Sequence, residues 1–210
     1  AFGAEGIGLF RTEHMFYGKN SEEPLFKLRK MIHSKTLAER KSALDELFPH
    51  VKHDVKGTMA AMDGYPVTFR TLDPPLHEFV PTRVDEREKL ASSLGISLEE
   101  LNKRADSLHE NNPMMGHRGV RLGITYPEIS EMQIRAIFEA TAELLKEGKK
   151  PFPEIMIPVT CHVNEINHQY KIVTKVHSEV CAKFGLKKIA HLTGTMIEIP
   201  RACLTADKIA

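Results

Sequence analysis

Residues 7–13 read IGLFRTE, and residues 67–73 read VTFRTLD. Each is a short apolar run that ends on Arg-Thr followed by a carboxylate within two or three residues. The run preceding each arginine has the length and composition of a buried strand. The repeated pattern places Arg11 and Arg70 at equivalent positions, at the carboxyl ends of two neighbouring strands. Glycines at 3, 6 and 8 invite a different reading of the first stretch, as a phosphate-cradling loop. Their spacing is GxxGxG, not GxGxxG. No acidic residue closes a second strand ~20 residues later, as a dinucleotide site requires. There is no GK[ST] either. The glycines are therefore expected to let the backbone pass close to its neighbours at Gly3 and Gly6, while Arg11 carries the chemistry.

Working outward, five segments read as strands: 6–11, 66–72, 117–122, 154–159 and 191–199. Helical patterns separate them. Residues 36–47 are rich in helix formers, with Leu37, Ala43, Leu44 and Leu47 on one face. A second helix is expected over 50–62, with Asp63-Gly64 turning the chain into the next strand. Residues 127–147 form a helix opened by Pro127 or by a capping box at Ser130–Gln133. Its stripe is Ile134, Ile137, Phe138 and Leu145, and Gly148 ends it. Residues 164–184 repeat the plan, with Asn164 as cap and Gly185 as stop. Their packed positions are Ile166, Tyr170, Val173, Val176, Val180 and Phe184. The segment 73–112 breaks the rhythm. DPPLHEFVP is expected to be extended, because a residue before proline is pushed out of the helical region. SLEE at 97–100 caps a further helix. Some 40 residues between strands exceed a simple βα connection, so this is a helical excursion.

Strands alternating with helices imply a parallel α/β protein. A doubly wound sheet and a (β/α)8 barrel both fit that alternation. Charged residues at the ends of several different strands favour the barrel: Arg11, Arg70, Arg118 with Arg121, and Glu198. About five of its eight strands are present. Planar guanidinium forks suit a phosphate or a carboxylate. The alternative for either arginine is a buried ion pair with Asp73 or Glu13. Glu198 stands in TMIEIP, otherwise apolar, where a carboxylate needs a cationic partner or a metal such as Mg2+. Glu5 and Asp207 are weaker candidates, expected to be solvated.

Composition narrows the class. The chain of 210 residues carries 29 basic and 28 acidic residues, a net charge of +1, without the basic excess of a nucleic-acid-binding domain. No apolar run approaches the ~18 residues of a membrane helix, so neither nucleic acid nor membrane is an expected partner. Cys161, Cys181 and Cys203 form no CxxC pair and read as free thiols in a reducing compartment. His50 and His53 share a helix face without a zinc pattern around them. The chain starts without methionine and stops at a helix-like start, so it is expected to be a piece of a larger protein.

Four motifs carry a specific resemblance. GxGLxRTEHMF (6–16), PVTxRxLDPPLHEF (66–79), ENNPMxGHRGxRLG (110–123) and GTMIEIPRAxLTAD (194–207) occur in that order. Together they resemble the phosphoenolpyruvate/pyruvate-binding barrel of the pyruvate, phosphate dikinase family, across essentially the whole chain. Phosphoenolpyruvate synthases and the enzyme I proteins of sugar phosphotransferase systems are similar around RTE, NPxxGxR and MIE, but not at LDPPLHEF. The resemblance implies a phosphotransferase that interconverts ATP, phosphate and pyruvate with AMP, diphosphate and phosphoenolpyruvate. It implies that Arg11, Arg70 and Arg118 grip the phosphoryl group, Arg121 less surely, that Asp73 orients an arginine, and that Glu198 binds Mg2+. It further implies a phosphohistidine on a separate swivelling domain, an ATP-binding domain elsewhere and a homodimer; the expected location is the cytoplasm, with an organelle as the alternative. None of the three cysteines sits in the motif of the family's protonating cysteine, and Cys203 is expected only to pack its helix. A non-catalytic phosphoenolpyruvate-binding module is the remaining alternative.

Overall fold

The computed structural model describes residues 3–18, 21–109 and 112–210. Four parallel strands form one sheet: β1 (Ile7–Arg11), β2 (Pro66–Arg70), β3 (Phe152–Ile157) and β4 (Leu192–Thr195). Their spatial order is β1-β2-β3-β4, the order of the chain. A doubly wound sheet reverses direction at a switch point, whereas a barrel adds each strand beside the last. The unreversed order is that of a partial α/β barrel, as expected.

The third expected strand, 117–122, is not one. Arg118 is extended, at φ −143°, but Gly119 takes φ 55°. A short helix, α5 (Gly119–Thr125 in chain order), begins there. The alternation of GVRLG imitates a strand, yet Val120 and Leu122 are both buried. Val120 N–H donates to Pro158 O at 3.0 Å, so the segment caps the end of β3 instead of joining the sheet. The last strand is shorter than 191–199, and Glu198 lies three residues beyond it.

The remaining helices are α1 (Glu22–His33), α2 (Leu37–Ala61), α3 (Val84–Leu94), α4 (Leu98–Ser107), α6 (Pro127–Lys146), α7 (Val163–Phe184), α8 (Pro200–Leu204) and α9 (Ala206–Ile209). The two helices expected over 36–62 are one helix, α2, with Pro49 inside it. An internal proline costs about 3 kcal/mol or more. Leu44, Leu47, Val51, Val55 and Met59 continue one buried stripe across it. Each such side chain contributes ~1.5–3 kcal/mol on burial, which outweighs the break. Leu37, expected on that stripe, is 51% exposed. Helix α6 lies between α2 and α7. Ile134, Ala136, Phe138, Ala140 and Leu144 are all fully buried, as a helix flanked on several sides demands.

Helix starts follow side-chain chemistry. Thr36 and Glu39 form a capping box on α2, and the Ser97 hydroxyl accepts from Glu100 N–H on α4. On α7 the cap is His162 with Glu165, not Asn164, and Pro127 opens α6. Gly185 ends α7 in the left-handed region, φ 69°. Tyr170 does not join the α7 stripe: it is 38% exposed, and its hydroxyl donates to Thr193 O at 2.6 Å. Gly6 does permit close approach, since a Cβ there would lie 3.1 Å from Pro66 Cγ. Gly3 serves a different purpose, having open space around it and φ 79°.

The excursion after β2 is present and has a small core of its own: Leu90, Ala91 and Leu101, joined by Phe26 of α1. DPPLHEF is extended only through Pro75. It then winds into a 3-10 turn over Leu76–Phe79 that buries both end residues. His33, at the end of α1, is 2% exposed, and neither ring nitrogen has a hydrogen-bond partner among the described residues. Burial, then the nearby Arg104, Arg87 and Arg29, push its pKa down to about 4. The neutral ring therefore stabilises the fold fully above the unfolded-state value of ~6.5. Between there and the folded-state value the unfolded chain takes up the proton first, so stability falls with pH, by roughly 3 kcal/mol in all. Urea unfolding at pH 7 and 4.5 should show that decline, and His33→Leu should remove most of it.

Candidate functional site

The carboxyl ends of β1 and β2 stand side by side. Arg11 pairs in register with Arg70, and Arg70 with Met156 of β3. Register partners in neighbouring strands project to the same side of a sheet, so the two arginines leave it together. Their surroundings differ. Arg11 is exposed and makes no ion pair among the described residues. Arg70 is 7% exposed and bound on two sides by carboxylates.

One partner is Glu13, in the 3-10 helix Thr12–Phe16 that follows β1; its Oε1 accepts from Arg70 Nη2. The other is Asp73, 1% exposed, whose Oδ2 lies 3.1 Å from Arg70 Nη1. The same Oδ2 accepts from Arg118 Nη2 at 2.7 Å, and Oδ1 from Arg118 Nε at 3.1 Å. Asp73 is thus a hub between two guanidiniums that come from different segments. Both buried-pair alternatives for Arg70 hold at once. Two atoms of the cluster, Arg70 Nε and Glu13 Oε2, are buried with no hydrogen-bond partner among the described residues. Burial disfavours the charged form of Arg118, but its hydrogen bonds and attraction to Asp73, then Glu198 and Glu78, outweigh that and raise its pKa.

Glu198 reaches the same end of the sheet. The Thr195 hydroxyl and Met196 N–H both donate to Ile157 O, at 2.7 and 3.1 Å, which laces the end of β4 to β3. Glu198 Oε1 then accepts from Val159 N–H at 2.7 Å. Val159 is fully buried and has φ 61°, a left-handed conformation costly for a β-branched residue. Gly119 packs against this turn. A Cβ there would fall 2.8 Å from Val159 Cγ2 and 3.0 Å from Pro158 O, so the site depends on a glycine next to Arg118.

The other candidates fall outside this group. Arg121 donates from Nη1 to Met114 O and Gly116 O, at 3.1 and 2.8 Å, and so ties down the loop before α5. Glu110 and Asn111 of that loop's motif lie outside the described residues. Glu5 and Asp207 are exposed. Cys161 lies just past β3. Burial and then Glu165 push its thiol up, against Arg121 and Arg201, so it stays protonated at neutral pH. Cys203 is exposed instead of packing its helix; Ala202 is the buried residue there. Among the described residues no group of three or more His, Cys, Asp or Glu side chains converges as a ready-made metal site. Glu198 alone offers one hard carboxylate oxygen beyond the one bound to Val159. That donor suits Mg2+, which takes one or two carboxylates and fills its octahedron with water and substrate oxygens. No helix among the described residues is long and apolar enough to cross a membrane.

Sequence reasoning reached Arg11, Arg70, Asp73, Arg118 and Glu198; the structure sets Arg11 beside Arg70, joins Arg70 to Arg118 through Asp73, and brings Glu198 to the strained turn at the same end of the sheet. It underrated Glu13, whose signal was its position two residues past Arg11. Nothing in the sequence marks Val159.

Comparison with known proteins gives a consistent result. The family described as PEP-utilising enzyme, PEP-binding domain matches residues 1–210. Pyruvate, phosphate dikinase of Clostridium symbiosum is 50% identical over 209 residues, covering 99% of this chain and 24% of that protein. The chloroplastic pyruvate, phosphate dikinase of Mesembryanthemum crystallinum is 48% identical over 210 residues, 99% of this chain and 22% of that protein. That of Entamoeba histolytica is 52% identical over 217 aligned residues, all of this chain and 24% of the relative. The chain therefore spans about a quarter of the length of these relatives. With a family match over its whole length and these identities, the chain belongs to the PEP-binding-domain family of PEP-utilising enzymes.

Proposed function

We propose that this chain is part of the phosphoenolpyruvate/pyruvate-binding barrel of a pyruvate, phosphate dikinase. The observation that carries the reading is the meeting of Arg11, Arg70 and Arg118 at one end of a parallel sheet, with Asp73 between two of them. The whole reaction interconverts ATP, phosphate and pyruvate with AMP, diphosphate and phosphoenolpyruvate. In the half handled here, the phosphorus–oxygen bond of phosphoenolpyruvate breaks as the phosphoryl group passes to a histidine on another domain. The enolate left behind takes a proton and becomes pyruvate.

The chain's own residues perform the holding. Arg11, the exposed guanidinium, receives the phosphate, and Arg70 and Arg118 supply positive charge fixed in place by Glu13 and Asp73. Charge fixed in advance stabilises a developing oxyanion without reorganisation at the moment of reaction. Mg2+ held by Glu198 would neutralise negative charge on the enolate and phosphoryl oxygens. The ATP-binding and phosphohistidine domains belong to other parts of the full-length protein, whose dimeric state and cytoplasmic location complete the proposal. A phosphoenolpyruvate synthase or an enzyme I relative would share this site. LDPPLHEF and the helical excursion after it favour the dikinase.

Glu198→Gln in the full-length protein tests the reading. Exchange of label between pyruvate and phosphoenolpyruvate should fall by about a hundredfold or more, on the scale of losing one electrostatic stabiliser. Exchange between ATP and AMP should persist. Equal loss of both exchanges would remove Glu198 from this half-reaction.

A further inference from the structure

Helix α6 carries a buried amide that the reaction scheme leaves unused. Gln133 is 4% exposed and stands in a helix whose neighbouring positions Ile134, Ala136 and Ile137 are buried in the core. Its Oε1 accepts from Leu72 N–H at 3.0 Å, and its Nε2 donates to Thr12 Oγ1 at 3.0 Å. The amide's orientation follows from chemistry: a backbone N–H can only donate, so the oxygen must face Leu72 and the nitrogen Thr12.

The two partners are placed where they matter. Thr12 lies between Arg11 and Glu13, and Leu72 lies between Arg70 and Asp73. Both are buried, at 2% and 4% exposure, so water does not compete for either bond. On the far side of the β2 loop, Thr71 N–H donates to Met156 O at 3.0 Å. The loop is therefore tied to β3 on one side and, through Gln133, to the loop after β1 on the other. A sliding of one loop past the other would break the Glu13–Arg70 pair, and it would also move Arg11 relative to Arg70. Gln133 is anchored in a packed helix, the kind of rigid support that fixes a binding constellation.

We propose that Gln133 is a positioning residue that straps the β1 and β2 loops together and so sets the spacing of Arg11 and Arg70 for a phosphate. This rests on the reading of those arginines as the phosphoenolpyruvate site. Gln133 touches no substrate and acts only through Thr12 and Leu72.

The test uses the full-length protein with Gln133→Met, which keeps the volume and removes both bonds, Thr12→Val, which removes one, and the double variant. Phosphoenolpyruvate affinity is read by calorimetry, and Leu72 amide exchange by hydrogen–deuterium measurement. Gln133→Met should weaken phosphoenolpyruvate about tenfold or more and speed Leu72 exchange by a similar factor, as loss of a buried bond predicts. ATP–AMP exchange should be retained. Thr12→Val should weaken binding less, and the double variant should be no weaker than Gln133→Met, because the two residues act through one bond. Affinity within about twofold of wild type despite faster Leu72 exchange would reduce Gln133 to a packing role. Unchanged Leu72 exchange would show that there is no strap. If Gln133→Met fails to fold, normal affinity in Thr12→Val overturns the proposal equally well. Wild-type protein that does not bind phosphoenolpyruvate would overturn the site reading itself, and this proposal with it.

Discussion

Replacing Asp73 by alanine should destabilise the end of β2 by about 3–5 kcal/mol, the cost of breaking a buried ion pair by removing one partner. Asp73 is 1% exposed and pairs with both Arg70 and Arg118. Its loss leaves two guanidiniums facing each other with Glu13 as the remaining carboxylate on Arg70. Several kcal/mol follow from the low dielectric, which magnifies both the lost attraction and the new repulsion. Asp73→Asn should cost nearly as much. Its amide keeps one acceptor, but the NH2 group must then face a guanidinium N–H. Opening free energies from native-state hydrogen exchange at Phe69 and Arg70 would read the effect locally, without requiring the whole protein to unfold in one step. A loss below about 1 kcal/mol would place the pair in the range of solvated surface bridges and end Asp73's role as a buried hub.

How far the sequence alone leads can be judged residue by residue. Arg11 and Arg70 were legible because an apolar strand ending on a cation has few bland explanations, and the motif occurs twice. The parallel sheet, α6, α7 and the excursion were legible because their apolar periodicity and end signals agree. The expected division of 36–62 into two helices fails because the stripe from Leu44 to Met59, which carries the helix through Pro49, is a tertiary matter. Residues 117–122 misled because GVRLG alternates like a strand, and only the contact of Val120 with Pro158 shows that the segment caps β3. The Glu13–Asp73 arrangement was half legible: either carboxylate alone was a plausible partner for Arg70, and sequence gives no way to see that both bind. Val159 was invisible, because the neighbours of its left-handed turn, Glu198 and Gly119, come from elsewhere in the chain.

The buried pairing of Arg70 also sharpens what that residue does. An arginine held by two carboxylates is not a loose arm awaiting an anion. It is a fixed charge beside Arg11, whose own guanidinium is exposed. Losing it removes both that charge and the anchor for Glu13 and Asp73, so the effect on phosphoryl transfer should be larger than for any other single change. Removing one preorganised donor to a developing oxyanion typically costs about a hundredfold to a thousandfold in rate.

Label exchange between pyruvate and phosphoenolpyruvate in the full-length Arg70→Ala protein is the most direct measurement. The exchange should fall by at least about a thousandfold, while the same preparation still exchanges ATP with AMP, which shows that it is folded. Pyruvate–phosphoenolpyruvate exchange at the wild-type rate would contradict the assignment of the phosphoryl site to this end of the sheet.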